Sequence, residues 1–275
     1  MTTVLRLAPT GRRPRPFVKW AGGKQAIAQR IIEHFPPTFS RYYEPFIGGG
    51  AIFFELTPPR AVIGDGNDWL VDTYEAVRDD WSAVARALDG MRNTREEFLR
   101  VREVAPETLT PTERAAQFIY LNKTCFRGLF RVNQKGRFNV PYGAYDRRYY
   151  DADELRDAAA ALRGVDIRRG DFELSLDGVT AGDFVYFDPP YYKLGGYSDF
   201  NRYTSAQFRE GDHMRLAALC RELDARGVRW ALSNSDTAFV RALYAGFRIV
   251  EIEARREINL ESTRRDVREV LVTNG

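Results

Sequence analysis

Phe184-Val185-Tyr186-Phe187-Asp188-Pro189-Pro190-Tyr191 is an apolar, β-prone run that ends in a carboxylate, two prolines and a tyrosine. It reads as a buried parallel strand that delivers Asp188 to the carboxyl end of a sheet, where open α/β folds bind their ligands. Pro189 and Pro190 fix φ and remove two amide donors, so the corner is stiff and offers carbonyl oxygens beside the Asp188 carboxylate. Such a corner suits a planar amine. The exocyclic amino group of a nucleobase has two N–H donors, one for the carboxylate and one for the Pro189 carbonyl, and Tyr191 offers a face for the ring. Taken alone, a strand running into a proline turn explains the same residues.

Upstream, Tyr42-Tyr43-Glu44-Pro45-Phe46 reads as a strand, Ile47-Gly48-Gly49-Gly50 as a tight turn, and Ala51 to Leu56 as the start of a helix. Strand, glycine turn and helix make the first unit of a Rossmann-like sheet, since glycine lets a ligand approach the backbone. A second strand, Ala61 to Asp65, ends in an acid about 20 residues past the first glycine, the placement that meets ribose hydroxyls. A helix N-cap role fits Asp65 as well. NAD would satisfy this much, but Phe53 stands where the third glycine of GxGxxG belongs. Earlier still, Trp20-Ala21-Gly22-Gly23-Lys24 opens a helical run, and the phosphate-loop spacing fails at Lys19 and Gln25. Glycine amides and Lys24 still suit the carboxylate of an amino-acid-like ligand.

From Trp69 to about Val104 the spacing predicts helix, and Thr110-Pro111-Thr112-Glu113 predicts a capped restart running to Leu121-Asn122. Leu121 to Tyr150 then holds seven basic residues against the single acid Asp146, interleaved with aromatics, as a surface meeting phosphates and unstacked bases requires. Asn133 to Gly136 reads as a hairpin turn, and a solvated loop is the plainer alternative. The βαβ alternation resumes with a helix from Asp153 to Leu162 and a strand from Val165 to Arg168, which leads to Asp171-Phe172, an acid and an aromatic suited to an adenine. Beyond the Asp188 corner come a polar loop, Lys193 to Tyr203, suited to closing over a base, a helix from Ser205, a strand from Val228 to Ser233 and a helix from Asp236 to Ala245. Two final strands, Phe247 to Glu253 and Asp266 to Thr273, bracket a basic turn at Arg255 to Arg265. The expected organisation is a basic tail over 1–16, a catalytic unit over 17–68 and 151–275, and an inserted recognition unit over 69–150.

Net charge is only +3, so partners must be argued from distribution rather than total. Two cysteines and two histidines assemble neither a disulfide framework nor a zinc site, which argues against a zinc deaminase, and no metal is expected. No apolar run suits a signal peptide or a membrane span, so a cytoplasmic protein with no membrane partner is expected.

Asp188-Pro189-Pro190-Tyr191, the EPFxGxG turn, FxKWAGGK and YLNxxxxxGLxRxNxxGxFNVPxGxY together resemble the Dam-like adenine-specific DNA methyltransferases, in order and over nearly the whole chain. The resemblance implies a Rossmann-like α/β methyltransferase sheet with an inserted helical recognition domain, S-adenosyl-L-methionine as cofactor, double-stranded DNA as partner, and N6 of a flipped adenine within GATC as target. It implies cofactor contacts at Trp20, Lys24, Glu44, Phe46, Gly48, Gly50, Asp65, Asp171, Phe172 and Asp188. DNA contacts fall at Lys123, Phe126, Arg127, Leu129, Arg131, Asn139 and Pro141. Arg131 would read guanine, Leu129 and Pro141 would touch bases, and Phe126 would wedge the duplex. Arg127 departs from the small polar residue expected there. A restriction enzyme sharing the target and a monomer or weak dimer complete the expectation. Methylation of RNA or a protein amide, where Asn commonly replaces the acid, an NAD-dependent oxidoreductase and a catalytically silent DNA-binding protein are the alternatives.

Overall fold

A computed structural model describes residues 11–133, 136–192, 208–252 and 269–275. Among them one sheet is built from β1 (Tyr42–Glu44), β2 (Ala61–Asp65), β3 (Asp166–Arg169), β4 (Phe184–Phe187), β5 (Arg229–Ser235), β6 (Arg248–Ile252) and β7 (Glu269–Thr273). Their spatial order is β3-β2-β1-β4-β5-β7-β6; β1 to β5 pair in parallel, and β7 is antiparallel to both β5 and β6. The order reverses between β1 and β4, so the crevice outside their carboxyl ends is the natural ligand position.

Strand side chains alternate between two apolar clusters. Tyr42, Ile63, Phe184 and Tyr186 enter one, while Tyr43, Val62, Val185 and Phe187 enter the other. Burial on both faces explains why β4 reads as an unbroken apolar run. The first cluster is covered by α3 (Asp68–Asp89), α5 (Pro111–Thr124) and α6 (Ala152–Leu162), the second by α7 (Glu210–Ala225), with smaller helices α1 (Ala28–Ile32), α2 (Ala51–Leu56), α4 (Arg95–Glu103) and α8 (Ala238–Leu243) around them. Leu70, Phe118 and Leu155 share the first cluster with Tyr42 and Phe184, so residues 69–150 and the sheet have a continuous core.

Several boundaries differ from expectation. The stretch from Trp69 to Val104 is broken twice: α3 kinks at Asp80, whose side chain accepts from the Ala83 amide at 2.9 Å, and Gly90 ends it before Thr94 caps α4 by accepting from the Glu97 amide at 3.2 Å. The Thr110–Glu113 capping box forms as expected, and α5 runs on to Thr124. The helix placed from Ser205 starts at Glu210: Arg209 is extended, and its amide donates to the Asp212 carboxylate at 2.9 Å. α8 is shorter than the expected 236–245 because Thr237 caps it at Val240. The polar loop Lys193 to Tyr203, the basic turn Arg255 to Arg265 and Arg6 of the basic tail lie outside the described residues. Arg13, within that tail, pairs with Glu55. Among the described residues no helix is long and apolar enough to cross a membrane.

Candidate active site

Asp188 follows β4 directly, with its side chain 19% exposed, and one oxygen lies 3.0 Å from the Lys24 ammonium. Lys24 is itself 3% exposed, donates to the Gly22 carbonyl at 2.6 Å and stands 4.6 Å over the Tyr191 ring. Lys24 was expected against the cofactor; the structure pairs it with Asp188, another of the expected contacts. Burial raises the Asp188 pKa above the usual carboxylate range and Lys24 opposes the rise. Glu44, at the end of β1 and 2% exposed, accepts from the Tyr42 hydroxyl at 2.8 Å, and burial pushes its pKa well up, with Asp188 adding to the shift. One corner thus holds a buried cation, an ionisable acceptor and an aromatic face, and Pro189 is buried beside them while Pro190 is exposed.

The next residues are clamped from β5. The Tyr192 amide donates to the Asn234 side-chain oxygen at 3.2 Å, and the Ser235 hydroxyl donates to the Tyr192 carbonyl at 2.6 Å. The Tyr191 hydroxyl donates to Glu269 at 3.1 Å. Neither Asn234 nor Glu269 was singled out by sequence, since each acts across 42 and 78 residues respectively.

At the glycine turn, Gly48 and Gly50 have φ of +47° and +74°, and a Cβ on either would lie 2.6 Å from Trp20 or the Tyr74 hydroxyl. Trp20 therefore packs on the turn, and the Tyr74 hydroxyl donates to the Gly48 carbonyl at 3.1 Å. Asp65 accepts from the Gly48 amide at 3.1 Å and the Asn67 amide at 2.9 Å, while burial pushes its pKa up to about 6. Phe46 and Phe172 lie 5.4 Å apart, and the Arg215 guanidinium covers Phe172 at 4.5 Å while pairing with Asp171 at 2.7 Å. A carboxylate at a strand end beside a glycine turn, with two rings nearby, is a donor set that fits a nucleoside; Asp171 is committed to Arg215 in this state.

The basic loop forms a narrow hairpin, bridged at Val132–Phe138 and Cys125–Tyr142. Its turn is closed by the Gly136 amide donating to Asn133 at 2.9 Å. Asn139 holds Arg131, accepting from Nε at 2.7 Å on its side chain and from Nη2 at 3.3 Å on its carbonyl. Phe126 is 44% exposed under the Arg127 guanidinium, which stands 5.1 Å from its ring, and the Phe126 amide is anchored to the Pro141 carbonyl at 2.8 Å. Arg127 itself sits at φ +57°. Leu129 is half-buried and Pro141 exposed. Lys19 and Arg147 flank the Tyr145 ring at 5.3 and 4.7 Å. Burial lowers the pKa of Lys19 and of Lys123, and neighbouring cations lower both further, a cluster that an anion would relieve.

Asn122 joins this loop to the corner: its side chain accepts from the Lys19 amide at 2.7 Å and donates to the carbonyls of Lys19 at 2.8 Å and Gly128 at 3.3 Å. Asn122→Ala strands these buried groups and should cost about 2–3 kcal/mol. The melting temperature should drop by roughly 4–10 °C, and an unchanged thermal transition would remove this role.

A family model described as D12 class N6 adenine-specific DNA methyltransferase matches residues 20–258. The chain is 39% identical over 288 residues to the type II methyltransferase M.MjaIII of Methanocaldococcus jannaschii, spanning 94% of this chain and 99% of that protein. It is 38% identical to the type II methyltransferase M1.LlaDCHI of Lactococcus lactis subsp. cremoris, over 94% and 95% of the two chains. A DNA adenine methylase of Serratia marcescens is 33% identical, over 90% and 93%.

Proposed function

The chain belongs to the D12 class of N6 adenine-specific DNA methyltransferases, and from that membership we propose that it methylates the adenine of GATC in duplex DNA, using S-adenosyl-L-methionine. The observation that carries the site assignment is the Asp188 carboxylate at the end of β4, held by Lys24 beside the Tyr191 ring. S-adenosyl-L-methionine, when bound, supplies an electrophilic sulfonium methyl; Gly48, Gly50 and Trp20 line its turn, Asp65 would meet the ribose, and Phe46 with Phe172 the adenine. Glu44, at the end of β1, would border the same crevice.

The N6 lone pair of adenine is delocalised into its ring, so the protein's task is alignment and charge stabilisation. Asp188 accepts one N6–H and the Pro189 carbonyl the other, which concentrates electron density on nitrogen as positive charge develops there. One N6 proton is lost overall, and Asp188, with its raised proton affinity, is the group in contact with it. Extruding the adenine costs a few kcal/mol of stacking and pairing. Phe126 would fill the gap it leaves, and Lys19, Lys123 and Arg147 would meet phosphates. Arg127, exposed over Phe126, would follow the wedge to the backbone. Arg131, braced by Asn139, would read guanine while Leu129 and Pro141 contact thymine.

Unmethylated plasmid incubated with the protein and cofactor, then digested with nucleases that differ only in tolerance of methylated GATC, tests this reading; an unchanged digestion pattern removes the GATC assignment. Arg131→Ala should lose about 1–3 kcal/mol of discrimination at one guanine, read as methylation spreading to sites altered at that base. Unaltered site preference would place the readout elsewhere. A restriction enzyme sharing the target, action as a monomer or weak dimer, and residence on the nucleoid in the cytoplasm follow as parts of the same proposal.

A further inference from the structure

The first residue of β7 reaches into the catalytic corner. Glu269 stands in register with Ser235 of β5 and Ile252 of β6, and its carboxylate accepts from the Tyr191 hydroxyl at 3.1 Å. A tyrosine ring turns broadly about its Cβ–Cγ bond, and its hydroxyl oxygen lies on that axis, so an anchor at the hydroxyl fixes where the ring points while a contact on its face restrains its plane. Here both are present, the Lys24 ammonium 4.6 Å from the ring centroid and Glu269 at the hydroxyl. We propose that Glu269 is a positioning residue for methyl transfer: by tying the Tyr191 hydroxyl it fixes where the ring stands, and with Lys24 on the ring face it sets the platform on which the extruded base rests, and so the line from N6 to the methyl carbon.

A neutral acceptor would satisfy the hydroxyl, but an ionised one holds it more tightly. The choice carries an electrostatic cost, because Glu269 adds negative charge next to Asp188 and raises its proton affinity. A carboxylate tolerated there is explained by what it orients. The inference rests on the adenine-methyltransferase reading above, with Tyr191 as the platform.

The test is a double-mutant cycle read by single-turnover methyl transfer and by DNA affinity. Glu269→Ala should slow transfer roughly ten-fold, the loss of one charge-assisted hydrogen bond, with DNA affinity unchanged. Glu269→Gln, whose amide oxygen still accepts, should recover most of the rate. In the Tyr191→Phe background neither substitution should slow transfer further. Additive losses, a Gln variant as slow as Ala, or an Ala variant at full rate would overturn the proposal. If Glu269→Ala does not fold, Tyr191→Phe alone decides: it must show the same loss, and full rate refutes the mechanism. A wild-type chain that methylates no adenine would instead refute the underlying reading.

Discussion

Asp188→Ala is expected to slow methyl transfer by at least ~1000-fold, about 4 kcal/mol of barrier, the scale of removing a preorganised electrostatic partner of the transition state. Asp188 is the carboxylate placed where the stiff proline corner and the Lys24 cation converge, and alanine leaves N6 with no charged acceptor. It also strands the Lys24 ammonium, 3% exposed, so the rate must be measured on protein shown to be folded. Asp188→Asn separates the two effects. It keeps the shape and one acceptor oxygen but turns an N–H toward the incoming amine, and it should fall between wild type and alanine. DNA affinity should hold in both, since the phosphate contacts are proposed for the hairpin and not for Asp188. Near-normal transfer by the alanine variant would end the assignment of this corner.

Lys24→Met should have the second-largest effect. Removing one member of a buried ion pair costs about 3–5 kcal/mol when the other stays charged, and Asp188 can escape by taking up a proton. Its pKa is already raised by burial and held back by Lys24, so the substitution moves it higher. On the proposed mechanism transfer needs the carboxylate, so activity should be present above this pKa and lost as pH falls through it. The acid limb of the pH–rate profile should therefore move upward in Lys24→Met, with the deficit near neutrality shrinking as pH rises. A profile that keeps its limb while the rate falls uniformly would return Lys24 to a contact with the methyl donor alone.

What the sequence made legible was what neighbouring residues determine. The β4 run ending in Asp188, the turn at Gly48–Gly50, β2 with Asp65 and the Thr110–Glu113 cap each follow from local periodicity, φ restrictions or capping chemistry. The break before α4 was missed because apolar spacing continues across it, although Thr94-Arg95-Glu96-Glu97 carries the same capping spacing used correctly at Thr110. Pairings between distant segments left no such trace. Nothing near Lys24 states that its partner is Asp188, nothing near Glu269 points to Tyr191, and Asn122 had a motif position but no assigned task. These are long-range contacts, and local propensity is silent about them.

β7 lies between β5 and β6, although both precede it in the chain. A polypeptide on the ribosome that has passed residue 252 but not 273 therefore carries two strands with no partner between them, and the edges of both stay open to proteases and to other nascent chains. Closure of that slot waits for β7, after both of its neighbours have been made. Copies cut short before residue 269 would keep the Asp188 corner yet lack both the strand that joins β5 to β6 and the Glu269 acceptor of the Tyr191 hydroxyl.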